Sequence, residues 1–452
     1  MITSLLIRNF KSIEDSGKLE LKPLTIFVGP NASGKSNILE SLAVLAQTTR
    51  LPYDAPHSLS GSLTRGEFIK YPYPGTDYVA HKTERNRSIS FEIHTKPSKR
   101  TVSRILQILE EREELSKFIS KKQISSVGYE HSHNPNAEEA SNCILIEENK
   151  VIEITRVKTD FGHKDQVTYP QELSNFSPEE SPLLMLEPRC FTIRPTSSEI
   201  TKDLVLMNLA EGLSAVAKEI MADFIDNLGR VYLIKAFRGE VELPVKTGAT
   251  PSWVGKKGEN LVEILALCFS RREYSAKADR INEWAQKFGI DNMRAGWWGK
   301  DELGSDFEDA KLKSVLNLAL ASFGSKQVLS IVAQLFWSEP GDLVMIEEPE
   351  MSLHPESQVL LQDLFATTVA DGKQIVCSTH SPFLILALSR VIKSGKLSRN
   401  DIAVYHVEKG DAGTKMKRLE LDERGFVTGW IPSYLKVENE LFDEWAESLE
   451  KA

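Results

Sequence analysis

The sequence predicts an α/β fold with strand-and-loop patterns near both ends of the chain and an inserted mixed α/β and helical lobe between them. Three observations predict it. An apolar, β-rich run near the N-terminus leads through a glycine-bounded loop into a helical stretch. Two further apolar runs near the other end each stop at a cluster of polar residues. Most of the chain lies between Ser36 and Ser322, room enough for an additional module.

Taken in order, Pro23–Val28 (PLTIFV) reads as a strand, and Asn37–Gln47 as a helix with Ile38, Leu39, Leu42 and Leu45 at helical spacing. Residues 88–95 and 143–158 read as strands by alternation and β-branched content. Between them, Val102–Lys122 carries an apolar stripe of three heptads at most, too short for long coiled-coil arms. Segment 160–200 is rich in Pro, Ser and Glu and reads as linker. Helices are expected from Glu199 to about Leu335, broken at 237–257 by a Gly/Pro-rich stretch. Asp342–Ile346 and Gln374–Cys377 are buried-strand patterns. Val404–Gly410 reads as the start of two edge strands, and Val437–Lys451 as a small helical tail. These readings divide the chain into 1–100, 101–200, 201–310 and 311–452.

Composition narrows the function classes. With 41% hydrophobic residues over a length of 452, the chain can bury a large core, so wholesale disorder is excluded. A net charge of −9 excludes a polybasic nucleic-acid coat or membrane-surface protein. Cys143, Cys190, Cys268 and Cys377 lie far apart with no CxxC, so neither zinc-finger spacing nor a disulfide framework exists. MITSLLIRNF is too short in its apolar part for a signal peptide, and no apolar run reaches the ~20 residues that cross a bilayer. The expectation is a cytoplasmic chain without membrane contact.

The motif that carries chemistry is Gly29, Pro30, Asn31, Ala32, Ser33, Gly34, Lys35, Ser36, which fits G-x-x-x-x-G-K-[ST] between strand and helix, with Asn37 opening the helix. Glycines at 29 and 34 let backbone N–H groups and the helix N-terminus face phosphate oxygens. Lys35 would reach the terminal phosphates and the Ser36 hydroxyl would ligate Mg2+. Glu347 ends the 342–346 strand, where a phosphate-binding sheet holds its cation, and Glu348 is placed to orient or deprotonate water. The same acidic cluster alone would read as a solvated turn. His380, after the 374–377 strand, is a candidate donor to a phosphate or to that water, or an ordinary strand-end histidine.

These segments in this order resemble the ABC-type ATPase heads of the SMC/RecF/OLD superfamily. Leu6–Ser12 resembles their opening strand, and Ser322-Phe-Gly-Ser-Lys-Gln327 resembles the ABC signature. The resemblance implies a P-loop ABC-type head split between the chain ends, with Gly29–Ser36 as Walker A and Ile346–Glu348 as the end of Walker B. It implies further that Ser322 and Gly324 approach the γ-phosphate of ATP held by the opposite subunit, that Leu353–Pro355 is a D-loop, and that His380 is the switch histidine. Lys235–Glu242, Val254–Leu267 and Asn282–Ile290 are also similar to stand-alone ATPases of this group. Three positions depart from the pattern: Ala321 precedes the signature serine, Ser325 replaces its second glycine, and Glu347 replaces the Walker B aspartate. A Toprim nuclease needs more chain after Val404–Gly410 and a downstream DxD, so none is assigned.

The resemblance implies an ATPase that uses ATP and Mg2+, forms a homodimer or higher homo-oligomer, and serves DNA repair or anti-phage defence beside a separately encoded nuclease or toxin. Two alternatives share the motifs: an ATP-gated scaffold with slow or no hydrolysis, and a transporter ATPase subunit, against which the large insert and the SFGSKQ signature argue. DNA is a candidate ligand through Lys82, Arg85, Arg87, Lys96, Lys99, Arg100 and Arg104, opposed only by Glu84 and Glu92, although a solvated charged face has the same composition. His131 and His133 suggest a metal pair without a third ligand at recognisable spacing, so structural histidines are the expectation.

Overall fold

Six strands carry the nucleotide-loop region of the computed structural model: β1 (Leu24–Val28), β2 (Val231–Ile234), β3 (Leu343–Glu347), β4 (Gln374–Thr379), β5 (Ile402–Gly410) and β6 (Gly413–Leu419). Their order is β2-β3-β4-β1-β5-β6. The structure describes residues 1–48, 68, 81, 88–112, 115, 119, 124–134, 139–159, 162–168, 184–186, 193–195, 204–239, 241, 243–246, 250–311, 313–435, 439–441, 443 and 445. The pairs β3–β4, β4–β1 and β1–β5 are parallel. Buried on both faces, β1, β3 and β4 are continuous apolar runs and not alternating ones, as a covered parallel sheet requires.

The chain divides into two compact units. One comprises Met1–Leu21, Glu40–Val231 and Gly410–Lys415; the other comprises Lys22–Leu39, Tyr232–Lys409 and Met416–Ala452. The first is built on an antiparallel sheet of eight strands among the described residues, running from Ile2–Phe10 and its short neighbours through Ile89–Thr95, Val127–Asn134, Glu139–Ile146 and Asn149–Thr159 to Gly162–Thr168. Helix Lys99–Glu111 is capped by Ser98, and Asp223 of helix Leu204–Gly229 accepts from Ser98 N and Thr101 Oγ1 at 3.2 and 3.0 Å. His131 lies inside this sheet, its Nδ1 2.9 Å from Asn142 Oδ1, and burial lowers its pKa. Burial also lowers His133, to about 4. No cluster of three or more potential metal ligands occurs among the described residues.

Helix α1 (Lys35–Thr48) starts directly after the glycine loop; in the second unit α2 (Phe323–Trp337) precedes β3, and α3 (Pro355–Ala370) joins β3 to β4. Ile26, Val28, Val344, Ile346, Ile375, Cys377 and the inner face of α2 share one buried cluster. Cys143, Cys268 and Cys377 are buried free thiols whose pKa values burial raises, the first two to about 12 and about 11. No described helix is long and apolar enough to cross a membrane.

Several expected elements differ. The stretch expected to be helical up to Leu335 contains a hairpin, Ile290–Trp297 with Glu302–Asp309, whose Ile290, Met293, Leu303 and Phe307 join the buried cluster. Residues 143–158 are parts of two strands joined by a tight turn, with Glu147 at φ 56. The expected helix 102–122 is the shorter Lys99–Glu111. Strand β5 is interior and not an edge: it pairs in parallel with β1, and β6 is the outermost strand at that end of the sheet. Apart from 439–441, 443 and 445, the expected tail 437–451 lies outside the described residues, as does most of 160–200 beyond its short strands.

Candidate functional site

Parallel pairing fixes where the loops emerge. In register, Glu347 lies opposite Ser378 and Thr379 opposite Val28, so the loops after β3, β4 and β1 leave the same carboxyl edge side by side. That edge is where open α/β sheets bind ligands.

The 29–37 loop is tightly built. A Cβ on Gly29 would lie 2.0 Å from the Val407 carbonyl oxygen, so the pairing of β1 with β5 demands glycine there. Gly34 has φ 103 and Ala32 φ 59, turning successive amides toward one side. Asn37 N donates to Gly34 O at 3.0 Å as α1 begins, and Ser33 N to Pro30 O at 3.4 Å. Pro30, Asn31, Ala32 and Ser36 are exposed, whereas Ser33 and Lys35 are buried. The Lys35 ammonium turns back on its own loop, donating to Gly29 O at 3.0 Å and Pro30 O at 2.8 Å, 3.5 Å from Ser33 Oγ. Burial lowers its pKa to about 8, opposed by the charges of Glu348 and Glu350.

Glu347 is buried and its Oε1 is 2.9 Å from Lys235 Nζ, just beyond the end of β2. Glu348 follows with φ 43, a left-handed backbone sparsely populated outside glycine. Its amide donates to Ser378 O at 2.8 Å, and its carboxylate is 3.4 Å from His380 Nε2, a contact that lowers its pKa. The His380 amide donates to Glu350 Oε1 at 2.6 Å, and Tyr434 OH donates to the His380 carbonyl. Burial raises Glu350 and Tyr434. Arg238, 1% exposed, donates to the carbonyls of Glu347, Glu348 and Pro349 at 3.0, 3.2 and 3.1 Å. Burial lowers it to about 10, so it is charged at neutral pH.

Lys35, Glu347, Glu348 and His380 thus come together, from segments far apart in sequence. Ser322 and Gly324 sit at the start of α2. Ser322 caps that helix, its Oγ accepting from Ser325 N at 3.1 Å and lying 2.7 Å from Ser325 Oγ. Ser325 therefore partners the Ser322 hydroxyl. A Cβ on Gly324 would lie 2.6 Å from Ser352 O, so the start of α2 meets the 350–353 turn backbone to backbone. His354 caps α3.

Lys235, Arg238, Glu350 and Tyr434 were not found as site residues from the sequence. For the first two the only signal was the KAFRGEVE stretch, which by itself does not say which side chains are buried. In the basic patch, Lys96, Lys99, Arg100 and Arg104 are exposed, while Lys82, Arg85 and Arg87 lie outside the described residues.

A model of the AAA ATPase domain matches residues 1–385. No curated protein matches the chain. Solved structures similar to it include an Smc head bound to the C-winged helix domain of ScpA (13% identity, 93% of this chain and 98% of that one, TM-score 0.47). Another is the SMC head domain from Thermotoga maritima (10%, 93% and 99%, TM-score 0.41). A third is the Smc head with an extended coiled coil, bound to the C-terminal domain of ScpA, from Pyrococcus furiosus (13%, 97% and 99%, TM-score 0.45).

Proposed function

The chain belongs to the AAA ATPase domain family, and on that premise we propose that it binds Mg-ATP in the 29–37 loop and hydrolyses it within a homodimer. The observation that carries this reading is the convergence of Lys35, Glu347, Glu348 and His380 at the carboxyl ends of three adjacent parallel strands. The carbonyls of Gly29 and Pro30 hold the Lys35 ammonium in the free loop, and phosphate oxygens replace them when nucleotide enters. Loop amides and the α1 N-terminus add donors without desolvating further charge.

The donor set fits Mg2+: an exposed Ser36 hydroxyl and the Glu347 carboxylate are hard oxygen ligands. Ser36 and Glu347 would hold the ion from the protein side. When bound, the ion neutralises charge on the β- and γ-phosphates. Glu348, held ionised by its contact with His380, accepts the proton of the attacking water. His380, fixed through its backbone by Glu350 and Tyr434, keeps its ring beside that carboxylate. Ser322 and Gly324 serve the nucleotide of the opposite subunit.

Lys35→Ala tests the site directly. Titration calorimetry with ATP should lose measurable binding while the far-UV spectrum stays unchanged; tight binding by the variant rejects the loop assignment.

The wider role we infer, in DNA repair or anti-phage defence with a separate nuclease or toxin effector, rests on the sequence resemblance. Capture with tagged Glu348→Gln under ATP should recover such an effector.

One contact favours the alternative of an ATP-gated scaffold with slow turnover. Lys235 neutralises Glu347, so the cation must displace an ammonium before the site is complete. If that pair limits the rate, Lys235→Met should raise ATP turnover at submillimolar Mg2+. Equal rates across the Mg2+ range would remove the support for slow turnover.

A further inference from the structure

Arg238 is a buried cation with no carboxylate ligand among the described residues. Its five N–H groups all go to main-chain carbonyls: Nε to Gln327 at 3.1 Å, Nη1 to Lys235, Ala236 and Glu347 at 3.0, 3.2 and 3.0 Å, and Nη2 to Glu348 and Pro349 at 3.2 and 3.1 Å. Burying a guanidinium is costly, and an apolar side chain of similar volume would fill the space at lower cost. What an apolar group could not do is gather three consecutive carbonyls, 347 to 349, onto one centre. The chain must curl for them to converge, and the curl passes through Glu348, whose φ of 43 is unfavourable for a residue with a side chain.

The fourth anchor lies elsewhere. Gln327 belongs to the early turns of α2, the helix that Ser322 caps and on which Gly324 meets Ser352 O. The turn after Arg238 rests on the same place: Gly239, at φ 79, would put a Cβ 2.8 Å from the Lys326 carbonyl carbon and 3.0 Å from Gln327 N. The Gln327 side-chain amide is fully buried, with no hydrogen-bond partner for either polar atom among the described residues.

We infer that Arg238 is a positioning residue for hydrolysis, tying the backbone of Glu347–Pro349 to α2 so that engagement of Ser322 and Gly324 is felt at the Glu348 carboxylate. The inference deepens the proposed ATPase site and rests on it. Arg238 touches no nucleotide in this account and acts through Glu348 alone.

The test is a double-mutant cycle on the full chain. Arg238→Lys keeps the charge but cannot span six carbonyls. It should bind ATP within about twofold of wild type and leave KM unchanged. Its single-turnover hydrolysis should fall by roughly a hundredfold, the scale of a misplacement of about 1 Å in the reacting group. In a Glu348→Gln background the same substitution should cost no more than about twofold, because the group it positions is already gone. An equal loss in both backgrounds marks a general structural effect and overturns the inference. If wild type and Lys35→Ala bind ATP equally, the nucleotide-site reading fails and the inference falls with it. Should Arg238→Lys not fold, Gly239→Ala presses the same turn off α2 and must show the same non-additivity with Glu348→Gln. A second readout needs no turnover: amide exchange in nucleotide-free Arg238→Lys should quicken together at 347–351 and 326–330, and a change confined to 235–239 contradicts the tether.

Discussion

Lys35 shows how one residue's environment becomes an observable. Burial against carbonyl oxygens lowers its pKa from the ordinary 10.5 to about 8, and a bound polyphosphate favours the charged form and raises it again. Between pH 8 and 10.5 the free site is largely deprotonated and the occupied one is not, so ATP binding takes up a proton in that window and weakens as pH rises through it. The folding consequence has the matching sign: because the folded pKa lies below the unfolded one, the penalty of the buried charge is complete below pH 8 and is relieved as pH rises. Calorimetry of ATP binding at pH 8.5 in two buffers of different ionisation enthalpy should report the uptake, and Lys35→Ala should abolish it. At this scale the sequence was informative for contiguous motifs. It identified Lys35 and Ser36 from their spacing, but it missed Arg238 and Lys235, because a lone arginine or lysine reads the same whether solvated or buried.

The strands and loops owe their form to pairings the local sequence only partly encodes. The strands read at 23–28, 342–346 and 374–377 were legible because both faces are covered and no regular polar alternation dilutes the signal. Val404–Gly410 was read as the start of two edge strands; the pairing of β5 with β1 makes it interior and brings Val407 O against Gly29. Gly29→Ala should therefore act first on packing. A stability loss of about 1–3 kcal/mol, typical of forced overpacking, is expected in urea unfolding, together with weaker ATP binding. Stability equal to wild type would mean that β5 does not hold the loop as described. The hairpin at Ile290–Trp297 and Glu302–Asp309 was hidden for a related reason: a half-exposed strand pair flanked by helices has a pattern too short to dominate its window.

For the whole molecule, the consequence that follows from the proposed site is association. Ser322 and Gly324 lie on the start of α2, and among the described residues the exposed Ser322 hydroxyl bonds within its own helical turn, the placement that the proposed contact with a nucleotide on another copy would use. Glu348→Gln, which retains the backbone hydrogen bonds of Glu348 but cannot accept a proton, should hold ATP and double the mass measured by light scattering. ADP should leave it at the monomer mass. A mass independent of Mg-ATP would reject the sandwich while leaving the single-subunit site intact.

The sequence by itself determined the glycine loop at 29–36, the strand and helix that frame it, and the order of the acidic and histidine segments along the chain. Each is written in contiguous residues whose spacing is the signal. The tertiary structure alone decided which strands are neighbours, that Lys235 neutralises Glu347, and that Arg238 gathers the backbone on which Glu348 sits. Parallel strands are joined by long crossovers, so their order is set by packing over the sheet and not by local periodicity. Whether a charge is buried depends likewise on residues more than a hundred positions away, as the contacts of Arg238 with Glu347 and Glu348 illustrate.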